Sequence, residues 1–324
     1  MRRGLLIAAR IAVSAALLAW VAARLDAHAV RAALARVRPL TLALALALAL
    51  AGYWGRALRW SYLLRHAGVS ITNRDAYRLT LVGIGYGLVT PGRIGELARA
   101  FHLDVPGARA LPSVIWDRLA DILLLEALSI PAFVALGMGA AGATGRGGPL
   151  LWAYLAVVAV TAAGVAALDS PRALEALARR VPAAAGRLGA WGGGATGVLR
   201  SAAFARGLAA GLLFYVLNFA GALLLLQELV PAHLPQLALL FPVIILLGNL
   251  PIAFGGLGLR EQVAALAFAR LGAAASVGPV FSLLWFLVVT VIPALIGFVI
   301  APTRWGRARA RLDPARGAAE RPAQ

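Results

Sequence analysis

Six apolar stretches constrain this chain more than any other feature: Gly4 to Ala23, Pro39 to Leu58, Leu111 to Leu136, Pro149 to Leu168, Gly207 to Leu229 and Val277 to Ala301. A helix needs about 20 such residues to cross a bilayer core. The chain is 61% hydrophobic and 14% charged, with a mean hydropathy of +0.84, well beyond the roughly 45–50% apolar content of soluble domains. The stretches therefore read as membrane spans, and the fold class as all-α, a polytopic transmembrane helical bundle. Leu42 to Ala51 alternates Leu and Ala, the period of a strand. Both residues are apolar and good helix formers, so the alternation separates no faces and a helix is expected. Met1-Arg2-Arg3-Gly4 ahead of the first stretch resembles a signal peptide, but no small-x-small site followed by a soluble domain occurs, so it reads as a retained first span.

Two further apolar segments are broken. Leu79 to Val89 runs into Thr90-Pro91-Gly92-Arg93-Ile94-Gly95-Glu96 and resumes at Leu97 to Leu103. Leu237 to Ala253 runs into Phe254-Gly255-Gly256-Leu257-Gly258-Leu259-Arg260-Glu261 and resumes at Gln262 to Leu271. Pro and Gly clusters stop helices, and irregular backbone survives at membrane depth only where protein or a wet cavity covers it. Both segments read as re-entrant hairpins, for six to eight spans in all.

All 31 basic residues are arginine, and their placement orients the chain. Arg2 and Arg3, the group Arg56, Arg59, Arg65, Arg74 and Arg78, the group Arg172 to Arg206, and Arg304 to Arg311 all fall on one side, the cytoplasmic side by the positive-inside rule. Leu25 to Arg38 disagrees, with Arg31, Arg36 and Arg38, and reads as a short interfacial helix. In this layout span two, hairpin one and span three run opposite to span five, hairpin two and span six. The expectation is an inverted repeat, about 39–137 and about 207–301 of a membrane domain 1–303, with a basic, disordered cytoplasmic tail 304–324. Paired broken segments in corresponding positions point to a transporter site near the midplane.

A charge within the bilayer costs about 2.5–3.5 kcal/mol on insertion scales, so such residues should face the interior and have partners. In the first break, Arg93 reads as an anion-recognising cation beside a compensating Glu96, with Arg99 nearby. The amides of the Gly92 to Gly95 turn, and of a helix starting at Leu97, would add donors for a phosphate. An interfacial turn whose charges touch water is the alternative; the second break, with Arg260 and Glu261, repeats the pattern and favours a site. Span three opens with Trp116-Asp117-Arg118-Leu119-Ala120-Asp121, with Glu126 beyond. Asp117 and Asp121 share a face, and Arg118 reaches Asp121 at i,i+3. The two acids fit a proton shuttle or a counter-charge for a cation, and equally a clamp on Arg93 or Arg99. Asn249, next to Pro251, fits a cavity wall or a packed kink. Gly207 and Gly211 form a small-xxx-small pair suited to helix packing. Trp54, Trp60, Trp285 and Trp305 suit an interfacial belt or packing.

Several classes are disfavoured. A pI near 11.7 suits nucleic acid, but arginines flanking apolar runs suit anionic lipid instead. His28, His66, His102 and His233 lack metal-ligand spacing, and there is no cysteine. The paired acids lack a nucleophile or oxyanion donor for catalysis. No Walker motif appears, so any drive must come from a gradient, the membrane potential or lipid asymmetry. No enzyme activity, metal or cofactor is expected.

Arg56-Ala57-Leu58-Arg59-Trp60, Thr90 to Glu96, Asp117 to Asp121 and Pro251 to Glu261, in that order, resemble the lysylphosphatidylglycerol synthase transmembrane-region family of flippase-like proteins, over about Gly4 to Ala301. The resemblance implies a polytopic bacterial inner-membrane protein that moves a lipid between leaflets, in some members fused to a cytoplasmic aminoacyl-lipid synthase. That soluble portion is not seen here, so aminoacyl transfer does not carry over. Asp117 stands where the family more often has Glu, and Phe254 where Pro is common. Members differ in substrate, among anionic or aminoacylated phospholipids, polyprenyl-linked sugars and hopanoid-type lipids. The expected substrate-binding set is Arg59, Gly92, Arg93, Gly95, Glu96, Asp117, Arg118, Asp121, Asn249, Gly255, Gly256, Gly258, Arg260 and Glu261. The expected partners are membrane lipids with an anionic headgroup or polyprenyl phosphate. The other readings are a non-transporting accessory of a membrane-bound lipid or glycan biosynthetic enzyme, and an enzyme acting on lipid phosphates.

Overall fold

The computed structural model describes residues 31–32, 35–90, 93–105, 107–135, 148–180, 196–230, 234–248, 259–269, 272, 277–301 and 311–312. Helix α1, Pro39–His66, begins at a proline whose fixed φ suits a first helical turn. It continues two turns past Leu58, where the apolar run ends. Arg56 and Arg59, expected to flank this span on the cytoplasmic side, are instead inside the helix and buried, 2% and 0% exposed.

Helix α2, Asn73–Leu88, starts where Thr72 Oγ1 accepts from the Asp75 amide. Its 16 residues rise about 24 Å, short of a bilayer core of about 30 Å. The chain then turns and returns as a 3-10 helix, Ile94–His102. Gly83 faces Arg99 and Gly87 faces Glu96, so the two limbs are antiparallel. A Cβ on Gly95 would lie 2.2 Å from the Tyr86 carbonyl oxygen, which is why the limbs close only with glycine there. The first broken segment is therefore a re-entrant hairpin.

Helix α3, Gly107–Ala135, holds span three, and α4, Gly148–Asp169, span four. A short amphipathic helix, α5, Pro171–Arg180, follows. Helix α6, Ala202–Leu229, is capped by Ser201, whose hydroxyl accepts from the Phe204 amide. The second broken segment is α7, Leu234–Leu239, and α8, Phe241–Gly248, before the break, and α9, Leu259–Ala269, after it. The last span is α10, Val277–Phe286, a π turn, Leu287–Val291, and α11, Ile292–Ile300. Among the described residues, four helices are long and apolar enough to cross a membrane: Pro39–His66, Leu151–Asp169, Ala202–Leu229 and Val277–Ile300. Helix α3 is as long but carries several charges. The expected first span lies outside the described residues. Strand β1, Val69–Ser70, pairs antiparallel with β2, Arg311–Leu312, two residues of the tail expected to be disordered.

The first half packs as the second does. Helix α2 lies on α11 as α8 lies on α3, and the 3-10 helix lies on α3 as α9 lies on α10. At the centre α1 and α6 are antiparallel: Gly55 meets Ala210, Gly52 meets Phe214, and Gly221 meets Ala45. The halves thus run in opposite directions, as an inverted repeat requires.

The central contact depends on small residues. A Cβ on Gly55 would lie 2.4 Å from the Ala210 carbonyl oxygen, whereas one on Gly164 meets nothing within 4 Å. Gly55→Leu should lower stability by about 1–3 kcal/mol or more, and Gly164→Leu should leave it unchanged. Thermal unfolding of the detergent-solubilised protein checks both.

Candidate functional site

Three elements of the first half bring a set of ionised side chains inside the bundle. Helix α1 supplies Arg56 and Arg59, the hairpin supplies Arg93, Glu96 and Arg99, and α3 supplies Asp117, Arg118 and Asp121. Asp117, fully buried, accepts from Arg59 Nε at 2.6 Å and from Arg99 Nη2 at 2.5 Å. Asp121 lies 2.9 Å from Arg59 Nη1, 3.1 Å from Arg56 Nη2 and 3.6 Å from Arg118 Nη1. Glu96 takes Arg56 Nη2 at 3.2 Å and also pairs with Arg118. Aromatic groups complete the cluster. Arg99 lies over the Trp60 ring, 4.4 Å from its centroid, and Arg56 lies over Phe214, while Tyr215 Oη donates to Asp121 Oδ1 at 2.8 Å.

The sequence left two roles open for Asp117 and Asp121, and the geometry is that of the clamp. Asp117 holds Arg99, as one alternative had it, together with Arg59; Arg93 is held elsewhere. The small-xxx-small pair does more than pack helices. Gly207 and Gly211 of α6 make room for the Arg59 side chain, and a Cβ on Gly211 would lie 2.8 Å from its Nη1.

Arg93 joins the two halves. Its backbone is left-handed, φ 57°, uncommon for a residue with a Cβ. Its Nη2 donates to Thr290 Oγ1 of the π turn at 3.2 Å, and its Nε lies 3.9 Å from Glu96. Pro293 has no N–H to offer the Val289 carbonyl one turn back, and that oxygen accepts from Tyr53 Oη at 2.5 Å instead. In the second half Arg260 is buried over the Phe286 ring, 4.8 Å from its centroid, against Gly248. Arg93 is within electrostatic reach of Arg260, and Glu261 follows on α9.

One expectation is corrected. Two of the turn amides expected as phosphate donors are already engaged: Gly95 N donates to Thr90 Oγ1 at 2.7 Å and Arg93 N to Thr90 O at 3.2 Å. The helix also starts at Ile94 rather than Leu97. Gly92, Asn249, Gly255, Gly256 and Gly258 lie outside the described residues. Trp60 and Trp285 are packing residues, donating to Ser113 and Asn218. Sequence reasoning missed Tyr53, Tyr215 and Thr290, neutral residues in apolar runs that carry no local signal.

Among the described residues, five guanidinium groups, Arg56, Arg59, Arg93, Arg99 and Arg118, face three carboxylates, Glu96, Asp117 and Asp121. The cluster holds two more positive than negative charges. Removing one partner of a buried ion pair typically costs about 3–5 kcal/mol, so Asp117→Ala, which strands two arginines, should lower the unfolding midpoint sharply in detergent. Asp117→Glu should retain most of the stability.

The sequence matches the family model described as the lysylphosphatidylglycerol synthase TM region over residues 7–297, and the chain belongs to that family. It is a multi-pass membrane protein of a family tied to lipid metabolism or flipping. No curated protein matches the sequence.

Proposed function

We propose that this family member is a lipid transporter of the bacterial inner membrane, passing an anionic headgroup along the arginine cluster of its first half toward Arg260 of the second. The excess of two positive charges in that cluster carries the reading. Uncompensated charge inside a membrane protein is costly, and every carboxylate in the cluster is already engaged. A phosphate is the complement guanidinium groups bind best, through charge-assisted and often bidentate hydrogen bonds. Arg93 and Arg260, one from each broken segment, are the groups facing such a ligand; the clamped Arg59, Asp117 and Asp121 set the frame behind them.

The candidate substrates are anionic phospholipids and polyprenyl phosphates. The headgroup crosses by rocking of one half against the other, while the hydrocarbon chains stay on the lipid side. No chemical bond is made or broken.

Fluorescent anionic phospholipid and polyprenyl-phosphate analogues in proteoliposomes test this. Native protein should exchange at least one of them between leaflets, and Arg93→Ala and Arg260→Ala should each slow exchange about tenfold, a change of about 1.4 kcal/mol. Folded native protein that exchanges no lipid would move the function to an accessory of a biosynthetic enzyme.

A further inference from the structure

We infer that one hydrocarbon chain of the substrate lipid is seated in an apolar cleft between α3, α6 and the corner joining α7 to α8, so that the protein grips the lipid by its chain as well as its headgroup. This inference rests on the lipid-transport reading above. The cleft is an open groove of about 370 Å³, and its walls include Leu128 and Pro131 of α3, Phe219 and Leu223 of α6, and Leu239 and Phe241 at the corner. Pro242 makes that corner, because a continuous helix through it would lose a backbone hydrogen bond, and the chain turns at Leu240. No lining side chain is polar. Water would find few partners there, so hydrocarbon is the occupant that fits.

The cleft extends the same helix faces that hold the charged cluster. Tyr215, Phe219 and Leu223 follow at i, i+4 and i+8 on α6, and Asp121, Leu125 and Leu128 at i, i+4 and i+7 on α3. The hydrogen bond from Tyr215 to Asp121 marks the polar end. From Tyr215, Phe219 lies about 6 Å and Leu223 about 12 Å further along α6. The cleft thus lies in line with the cluster, on the far side of the buried Tyr215 and Leu125.

Lipid tails are as apolar as leucine, so leaving bulk lipid gains the chain nothing from the hydrophobic effect. The cleft selects by shape and direction. It runs toward Leu229, away from the end of α6 that follows Arg200 and carries Arg206. A chain pointing that way belongs to a lipid drawn from the leaflet on the arginine-rich side.

The test uses the whole protein in vesicles with an anionic phospholipid bearing a diazirine midway along one acyl chain. After irradiation, mass spectrometry should place label on Phe219, Leu223 or Leu128. Excess unlabelled anionic lipid should reduce it about tenfold, as should Ala220→Trp or Ala238→Trp, either of which fills the cleft. Label spread over the exposed Leu212, Leu213 and Val216, or unaffected by competitor, overturns the inference. Leaflet exchange in the same vesicles separates the two readings. Competed cleft label without exchange keeps the chain site and removes transport; exchange without cleft label keeps transport and removes the chain site.

Discussion

The rest of the structure depends on pairing charge away from water. Asp117 has no solvent contact, and its two oxygens are taken by Arg59 and Arg99. Those pairs join the hairpin to α1 and α3 at one point, and Asp121 and Glu96 extend the network to Arg56 and Arg118. Hydrophobic burial gives little direction in such a protein, because lipid serves an apolar side chain as well as protein does. Position within the bundle is specified by groups that lipid cannot serve.

That specification needs close backbone approach. Arg59 is accommodated only because Gly207 and Gly211 leave its path open, and α1 reaches α6 only because Gly55 and Gly52 are bare. Glycine in these spans costs little, since a helix in hydrocarbon has no alternative partner for its backbone. Small residues and buried arginines are two sides of one solution.

Much of this was legible in the sequence, for reasons that differ by residue. The described spans were readable from apolar length, and the first hairpin from Pro and Gly at a depth where helices should not stop. Arg93, Glu96 and Asp117 stood out because charge is rare in such a chain. Arg56 and Arg59 were misplaced, because a flanking arginine and a buried one look alike when the apolar run ends at Leu58 while the helix continues to His66. The Gly95 amide was misjudged because its partner, Thr90, is a side chain within the turn itself. Tyr53, Tyr215 and Thr290 gave no signal, since a hydroxyl in an apolar run is meaningful only once its distant acceptor or donor is known.

The π turn at Leu287–Val291 inserts one extra residue into the last span. One residue advances a helix by about 100°, so the faces before and after the turn are out of phase. Helix α10 keeps its face on α6 and α9, and α11 presents a rotated face to α2. A single span thereby belongs to two neighbourhoods, one in each half of the molecule. Thr290 and the Val289 carbonyl, the points where Arg93 and Tyr53 attach, sit at the joint between those phases. The first half is thus fastened to the last span at the residues where its helical phase changes.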